Sequence, residues 1–133
     1  MKEVLLPEGW QRPRGYSQGV AAEGTLVFIS GQIGWDRNER FVATDLAGQV
    51  AQALRNIVTI LAAAGGHPEQ IARMTWYVVD KRAYVAEAKA IGAAYREIIG
   101  RHFPAMSVVQ VAALVEDEAL VEIEATAVLT PAG

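Results

Sequence analysis

The stretch 121–128 alternates between two kinds of side chain, and this alternation limits the fold more than any other feature. Glu122 and Glu124 stand between valine, isoleucine and alanine residues. Because successive side chains of a β-strand point to opposite faces of a sheet, a strand here presents carboxylates on one face and aliphatic groups on the other. The aliphatic face must pack on the core, so the carboxylate face must meet solvent, a ligand or a second copy of the chain.

Five further stretches are predicted to be strands from their composition and from the turn residues that bound them: residues 2–6, 17–22, 25–32, 71–79 and 103–114. Glu23 and Gly24 predict a turn that joins the second and third of these stretches as a hairpin, since glycine tolerates a positive φ. The acidic connector 115–119 predicts another antiparallel hairpin, between 103–114 and the terminal strand. The apolar run 26–29 is typical of a strand covered on both faces.

Two segments show helical spacing instead. From about Asp45 to Ala64, apolar residues recur three or four positions apart: Leu46, Val50, Ala53, Leu54, Ile57 and Leu61. Asp80 is predicted to cap a second helix that runs to about Ile99. The predicted buried stripe of that helix is Tyr84, Ala88, Ile91, Tyr95 and Ile98.

Two amphipathic helices can cover only one face of one sheet, so residues 1–133 are expected to form a single two-layer α+β domain. The other face, with Glu122, Glu124 and Gln110, is too polar for a dry core and too apolar for open water. Hydrophobic residues make up 52% of the chain and charged residues only 20%, which favours surface hidden by self-association. We therefore expect a homo-oligomer packed on this face, with ligand clefts between subunits.

Several function classes are disfavoured by the composition. The chain has no cysteine, which excludes disulfides and thiolate chemistry, and His67 and His102 are too far apart to predict a metal site. Ser30 and Ser107 have no identifiable base, so nucleophilic catalysis is not predicted. A net charge of −3 without a basic stripe disfavours a nucleic-acid partner. No apolar run of about 18 residues and no signal-peptide core stand out, which predicts a cytoplasmic protein without a membrane segment.

Five motifs, in this order along nearly the whole chain, resemble the Rid family (the YjgF/YER057c/UK114 group) of reactive-intermediate deaminases: residues 15–19 (GYSQG), 28–32 (FISGQ), 52–57 (QALRNI), 103–105 (FPA), and 109–114 with 121–125 (VQVAAL and VEIEA). The resemblance implies a chorismate-mutase-like fold with a mixed β-sheet, and a homotrimer with three clefts at its subunit interfaces. It also implies a small-molecule substrate and a reaction that uses no metal and no organic cofactor.

In the deaminating members of that family, a glutamate positions the water that attacks the imine carbon, and ammonia leaves. The resemblance assigns this role to Glu122 and makes Tyr16 the tyrosine of the cleft, with Glu124 as a structural ion-pair partner. Other candidates for substrate contacts follow from the same motifs: Ser30, Gly31, Gln32 and Ser107. Without the resemblance, solvated glutamates are an equal alternative, and Tyr16 is favoured as a loop aromatic at the edge of the core.

Two positions depart from the family's pattern. Met106 stands where the deaminating members have an arginine that binds the substrate carboxylate, and Gly92 stands near the place of an asparagine. An arginine–carboxylate pair is worth on the order of 1.5 to 3 kcal/mol, so its loss costs roughly one to two orders of magnitude in affinity for a small imino acid. A thioether makes the cleft softer and more apolar instead. Arg14, two residues before Tyr16, is the candidate substitute cation.

Three functions remain open at this point. The first is hydrolytic deamination of a small imine or enamine by an atypical Rid-like trimer. The second is a trimer that binds a small metabolite, or regulates, without turnover, which Met106 favours because the carboxylate clamp is missing. The third is an endoribonuclease, an activity attached to parts of the family. The negative net charge and the lack of a basic, aromatic-rich face make it the weakest.

Overall fold

Residues 2–131, which a computed structural model of the chain describes, form six strands and three helices. The strands are β1 (Lys2–Leu5), β2 (Gly19–Ala22), β3 (Thr25–Gln32), β4 (Ile71–Val78), β5 (Ala105–Gln110) and β6 (Val121–Leu129). The helices are α1 (Leu46–Ala63), α2 (Lys81–Ala86) and α3 (Ala88–Ile98), and a single 3-10 turn (Pro68–Gln70) precedes β4.

The larger sheet has the strand order β3-β6-β4-β5 and is mixed. β6 runs antiparallel to β3 and to β4, whereas β5 runs parallel to β4. β1 and β2 form a separate antiparallel pair. α1 and α3 pack against each other and bury their apolar residues with those of the sheet in one core. The predicted two-layer α+β architecture with a mixed sheet is therefore confirmed.

The predicted hairpin of residues 17–22 and 25–32 is wrong, because β2 pairs with β1 and β3 pairs with β6. Gly24 joins β2 to β3 with a φ of +150°, and a Cβ at this position would overlap the carbonyl oxygen of Leu129 at the end of β6. The glycine is thus needed where the chain passes the end of β6, and not at the tip of a two-residue hairpin.

The predicted hairpin around the acidic connector 115–119 is also wrong, because β4 lies between β5 and β6. Trp76 of β4 is opposite Val108 on one side and Ile123 on the other. Adjacent strands are about 4.8 Å apart, so the chain must cover roughly 10 Å to pass from β5 across β4 to β6. The connector of about ten residues between β5 and β6 can span some 30 Å, so it is long enough for this crossing. The alternation identifies both strands, but a connector of this length does not determine which strands are neighbours.

α1 confirms the predicted helical stripe, since all six stripe residues are at most 3% exposed. By length and hydropathy alone α1 also meets the requirements of a membrane-spanning helix. Half of it is buried inside the domain, however, as in the core helix of a globular protein. Gln49 lies on the same buried side of α1 as the stripe.

The second predicted helix is in fact two helices. Asp80 caps α2 as predicted, because its Oδ1 accepts a hydrogen bond from the Arg82 N–H at 2.9 Å. Glu87 separates α2 from α3, with φ −98° and ψ 13°, and its carboxylate accepts a hydrogen bond from the Ala47 N–H at the start of α1. Ala88 follows this break and is exposed, so its predicted place on the buried stripe is wrong. The other residues predicted for the stripe are buried or half-buried.

The sheet face opposite the helices, which we call the open face, carries Tyr77, Glu122 and Glu124 together with apolar side chains of β3. Leu26 is 55% exposed and Phe28 is 75% exposed. The prediction that this run is covered on both faces is therefore not met within a single chain. The open face combines polar and apolar groups, as the alternation of β6 predicts.

Gln110 does not belong to the open face, which corrects its predicted position. It is in register with Val78, whose side chain is buried in the core, so Gln110 also points to the helix side. Its Oε1 accepts a hydrogen bond from the Lys81 N–H at 2.8 Å, at the start of α2. The side chain therefore holds a helix end to the sheet.

Candidate functional site

Glu122 lies on the open face of β6, beside Gly31 of β3. A Cβ added to Gly31 would overlap the Glu122 carboxylate, so the carboxylate occupies the space that a larger residue at position 31 would fill. A register shift between Ile29 and Gln32 interrupts the β3–β6 ladder at this point. Irregularities of this kind bend a strand and re-aim its side chains. The result is a half-buried carboxylate held against bare backbone.

Ser30, Gly31, Gln32 and Glu122 form what we call the glutamate cluster. Gln32 Nε2 donates a hydrogen bond to the Ser30 carbonyl oxygen at 3.1 Å and lies 3.4 Å from the Ser30 Oγ. No residue of the range 2–131 donates a hydrogen bond to the Glu122 side chain. Both carboxylate oxygens are therefore free to accept hydrogen bonds from water or a ligand.

Glu124, two residues further along the same strand face, is already engaged. The Tyr77 hydroxyl donates a hydrogen bond to Glu124 Oε1 at 2.7 Å. Chiefly this hydrogen bond raises the pKa of Tyr77 above its ordinary value. The ion-pair partner expected for Glu124 is thus a phenol instead of a cation, and the two glutamates differ in what they can still bind.

A second group of candidate residues lies at the start of β5. Tyr16, Arg73, Met106 and Ser107, which we call the β5 cluster, line a cavity of about 250 Å³. Met106 is half-buried and packs against the core from the helix side of the sheet. The cavity therefore contains a phenol, a guanidinium, a hydroxyl and a thioether.

Ser17 attaches the loop that carries Tyr16 to this strand. Its N–H donates to the Pro104 carbonyl oxygen at 3.0 Å, and its hydroxyl donates to the Phe103 carbonyl oxygen at 2.5 Å. Ser17 is buried, which strengthens the effect of both hydrogen bonds. Tyr16 consequently has a defined position beside β5 although it belongs to an irregular loop.

The structure does not bring Glu122 and Met106 together within one chain. β4 separates β6 from β5, so these two strands lie roughly 10 Å apart. Glu122 is opposite Tyr77 on the open face, whereas Met106 is opposite the buried Met74 on the helix side. Glu122 therefore does not line the 250 Å³ cavity at the start of β5, which Tyr16 and Met106 line.

Arg73 is a candidate that sequence reasoning missed. It is exposed and lines both the 250 Å³ cavity and a neighbouring cavity of about 330 Å³, which Ser30 and Glu124 also line. The alternation of β4 is the signal that could have found it, because Met74 is buried and residue 73 must face the other way. Arg14, the predicted substitute cation, is exposed and lines neither of these two cavities.

Trp35 and His102 have structural partners instead of a place in either cluster. Trp35 packs against Phe41, with ring centroids 5.9 Å apart. His102 Nε2 lies 2.7 Å from the Ile71 carbonyl oxygen, and its Nδ1 lies 2.9 Å from Lys2 Nζ. Within the range 2–131, no group of three His, Asp or Glu side chains could hold a metal ion.

Comparison with known proteins shows extended similarity to one family. A protein-family model described as Endoribonuclease L-PSP matches residues 10–129. A RutC family protein of Pyrococcus horikoshii is 37% identical over 129 residues, which cover 96% of this chain and 98% of that protein. A 2-iminobutanoate/2-iminopropanoate deaminase of Salmonella typhimurium is 38% identical over 116 residues, with coverages of 85% and 86%. A human protein of the same name is 34% identical over 117 residues, with coverages of 87% and 81%.

Solved structures show the same similarity in three dimensions. YyfB of Yersinia pestis, described as a conserved Rid family protein of unknown function, matches with a TM-score of 0.85 at 34% identity, covering 96% of this chain and 98% of that one. A Mycobacterium tuberculosis member of the YjgF/YER057c/UK114 family matches with a TM-score of 0.65 at 30% identity, covering 97% and 100%. The similarity thus includes the sequence, the fold and almost the full length of each chain.

Proposed function

The chain belongs to the Rid (YjgF/YER057c/UK114) family, and from this premise we propose that it hydrolyses a small imine or enamine to a carbonyl compound and ammonia. The relatives named 2-iminobutanoate/2-iminopropanoate deaminase support this reaction class. The observation that carries the proposal is the Glu122 carboxylate, which is half-buried against Gly31 and has no hydrogen-bond donor among residues 2–131. Such a group can hold a water molecule in a fixed orientation.

Glu122 acts on this water as a general base. It accepts a hydrogen bond from the water and directs the oxygen lone pair at the imine carbon. As the carbon–oxygen bond forms, the carboxylate takes a proton from the water and passes it to the nitrogen. The hydroxyl of the resulting carbinolamine then gives its proton to the carboxylate, which passes it to the nitrogen, and the carbon–nitrogen bond breaks as the carbonyl forms. One imine and one water give one carbonyl compound and one ammonia.

The reaction cleft lies between copies of the chain in a homotrimer. Glu122 of one copy and the β5 cluster of the next copy complete the site in this proposal, which accounts for the position of Glu122 and Met106 on opposite sides of the sheet. The exposed apolar side chains of the open face, including Leu26 and Phe28, supply contact area for this association. β5 is an edge strand of the sheet, so its outer side is accessible to a neighbouring copy.

Arg73 binds the carboxylate of the substrate in this proposal. Met106 has no charge and no N–H group, whereas Arg73 lines cavities beside both clusters and forms no ion pair with the described residues. Arg73→Gln should therefore raise KM by about tenfold to a hundredfold, which is the worth of one charge-assisted pair. Arg14→Gln removes an equal charge outside both cavities and should leave KM within about twofold of wild type.

The test of the mechanism is ammonia release from a 2-imino acid that an amino-acid oxidase generates in the assay. Glu122→Gln should lower kcat by roughly a hundredfold or more, because an amide cannot take the proton of water. Glu124→Gln is the matched control, since it makes the same change on the same strand face. Its kcat should stay within about tenfold of wild type, because Glu124 is bonded to Tyr77. Equal rates for wild type and Glu122→Gln would overturn the mechanism.

Binding of a small metabolite without turnover is the second candidate function, and Met106 is the observation that favours it. In that case 2-keto acids should bind saturably while no imine releases ammonia. Met106→Arg should then restore hydrolysis, because the guanidinium would supply the missing carboxylate clamp. Ammonia release by the unmodified chain would exclude this alternative.

A further inference from the structure

A cavity of about 270 Å³ lies on the helix side of the sheet, between α3 and the strands β4 and β5. It is distinct from the glutamate cluster, which faces the other side. Its walls are mainly aromatic: Trp76, Tyr84, Tyr95 and Phe103. Gly92 and Arg96 of α3 line it as well, and Met106 closes it on the side of β5.

The aromatic walls hold one another in place. Trp76 meets Tyr84 edge to face, with centroids 6.3 Å apart, and its ring lies 6.4 Å from that of Tyr95. Tyr95 stacks on Phe103 at 6.0 Å with the ring planes 9° apart. The Tyr95 hydroxyl also donates a hydrogen bond to the His102 carbonyl oxygen at 2.6 Å. The cavity is therefore preformed by rings with fixed orientations, which suits the binding of another ring.

Gly92 of α3 lines this cavity with backbone alone. It lies inside α3 without a positive φ, so its backbone conformation does not require glycine. Glycine inside a helix is less stable than alanine there, and a reason for it must lie elsewhere. A Cβ at position 92 would lie 3.3 Å from Arg96 Nη1, which is a tight contact with the end of a flexible side chain. A large side chain at position 92 would therefore have to displace the guanidinium or extend into the cavity that both residues line.

Met106 lines this aromatic cavity and also the 250 Å³ cavity of the β5 cluster. It forms a boundary between the two, and an unbranched thioether side chain can change rotamer at little cost. A ligand whose carboxylate is held by Arg73 can therefore extend past Met106 toward the rings. Arg96 lies at the same cavity, where its planar guanidinium can stack on a bound ring.

We propose that the aromatic cavity binds the side chain of the substrate and that the substrate is a 2-imino acid with an aromatic side chain. This assignment rests on the proposed function and adds the substrate class to it. The volume agrees, because an apolar cavity of about 150 Å³ takes a benzene ring, and 270 Å³ leaves room for the carbon that links the ring to the imine. Gly92 is the specificity-determining residue. Tyr84 and Phe103 supply accessible ring surface. The almost fully buried Trp76 and Tyr95 hold these two rings in place.

The experiment measures binding of two stable keto acids by calorimetry, separately from turnover. Phenylpyruvate carries the aromatic side chain, and 2-oxobutanoate carries an ethyl group in its place. Wild type should bind phenylpyruvate about tenfold to a hundredfold more tightly, which is the worth of burying one ring. Gly92→Leu fills the cavity and should remove this preference. Ala93→Leu, at an exposed position of the same helix, should preserve it.

Two outcomes overturn the assignment. One is equal affinity of wild type for the two keto acids. The other is a preference for phenylpyruvate that remains in Gly92→Leu. If Gly92→Leu does not fold, Gly92→Ala provides a smaller step, and the wild-type preference alone still decides the question.

Turnover measurements separate this assignment from the proposed function. Hydrolysis of 2-iminobutanoate that depends on Glu122, without preference for phenylpyruvate, would leave the deaminase proposal intact and exclude the aromatic side chain. Binding of phenylpyruvate that depends on Gly92, without ammonia release from any imine, would support the cavity and exclude deamination. Ammonia release with a higher kcat/KM for the imine of phenylalanine than for that of 2-aminobutanoate would support both.

Discussion

Gly31 and Glu122 are a pair in which one residue makes room for the other. Gly31 has no positive φ, so space and not backbone conformation explains the glycine. In Gly31→Ala, the added methyl group would force the Glu122 carboxylate to move. We expect kcat to fall by about a hundredfold, since a displacement of roughly 1 Å in a reacting group has effects of this size. The measurement is ammonia release with a 2-imino acid at saturating concentration.

Gly19→Ala is the control for this substitution. The added Cβ would lie 3.4 Å from Leu5 Cδ1, an ordinary contact, on a strand that carries none of the candidate residues. Its kcat should equal that of wild type. Gly31→Ala should remain folded, because the overlapping atoms belong to a flexible side chain. Wild-type kcat in a folded Gly31→Ala would show that the reaction does not depend on this carboxylate position.

His102 should give the fold a dependence on pH. Burial, together with the Lys2 ammonium, lowers the pKa of His102 below its ordinary value of 6.5. The unfolded chain therefore binds more protons than the folded chain as the pH falls through about 6.5, and the free energy of unfolding decreases. This contribution is fully present above about pH 7 and is lost progressively below it. Urea denaturation of wild type at about pH 7.5 and pH 5.5 should show the loss.

His102→Gln is the comparison that assigns this effect to the imidazole. Its amide can still approach the Ile71 carbonyl oxygen, but it does not titrate. The variant should be less stable than wild type at the higher pH, and it should lose less stability on acidification. An equal loss in the two proteins would contradict the prediction.

At the scale of elements, Gln49 connects α1 to two other segments. It is 1% exposed, its Nε2 donates to the Ala43 and Glu118 carbonyl oxygens at 3.2 and 3.0 Å, and its Oε1 accepts from the Leu120 N–H at 2.8 Å. Gln49→Leu leaves these three backbone groups without a partner. A buried unsatisfied group costs about 1–3 kcal/mol, but Glu118 is exposed and Ala43 and Leu120 are half-buried, so water can replace part of the loss. The free energy of unfolding should therefore fall by roughly 1–3 kcal/mol.

Gln52→Leu is the matched control for Gln49→Leu. Gln52 is on the same helix, is half-buried, and donates its side-chain hydrogen bond to the Asn56 side chain only. Its replacement should cost less than about 1 kcal/mol, because no buried backbone group loses a partner. Urea denaturation of both variants measures the difference. Similar losses in the two variants would show that the three hydrogen bonds of Gln49 are not what holds these segments together.

α1 could be predicted from the sequence because its pattern is local, whereas the break at Glu87 that divides the second predicted helix could not. The stripe of α1 has a period of 3.6 residues, and every residue assigned to it is buried. Strand pairing could not be predicted in the same way. The turn at Gly24 and the connector 115–119 each suggested a hairpin, yet β2 pairs with β1, and β4 separates β5 from β6. Alternation tells which face of a strand is buried, but it contains no information about the neighbouring strand.

The candidate site was accessible to sequence reasoning only in part. The alternation of β6 places Glu122 on the face away from the helices, and the structure agrees. Arg73 and the aromatic cavity depend on contacts between distant segments. Phe103, for example, reaches Tyr95 only because α3 and the start of β5 pack together. A motif identifies residues that are close in the sequence, whereas a cavity is formed by several elements that are distant in the sequence.

At the scale of the whole molecule, the described chain has a covered face and an uncovered one. The helices bury one face of the larger sheet, and the open face exposes Phe28 beside Tyr77 and the two glutamates. Glu122 and Met106 lie on different strands and on opposite sides of the sheet. Both features have the same explanation if each cleft uses one cluster from each of two copies. Association then covers the apolar groups and completes the site in one step.

Mixing two variants that are each impaired at low substrate concentration tests this explanation directly. In a ring of three, each interface joins the glutamate cluster of one copy to the β5 cluster of the next. Each cluster is one half of the shared site. Glu122→Gln damages only the glutamate cluster, and Arg73→Gln damages only the β5 cluster. When equal amounts of the two are refolded together, about a quarter of the interfaces should combine two intact halves, so about a quarter of the wild-type rate should return at low substrate concentration.

The control for the mixing experiment uses two variants of the same half. Glu122→Gln and Gly31→Ala both damage the glutamate cluster, so no interface in their mixture contains an intact copy of it, and the rate should stay at the level of the separate variants. Recovery in the first mixture without recovery in the second can arise only if the site is shared. If both clusters acted within one chain, each chain of every mixture would carry one damaged half, and neither mixture would regain activity. Light scattering on the refolded samples must show the same mass as for wild type, because exchange of copies requires assembly.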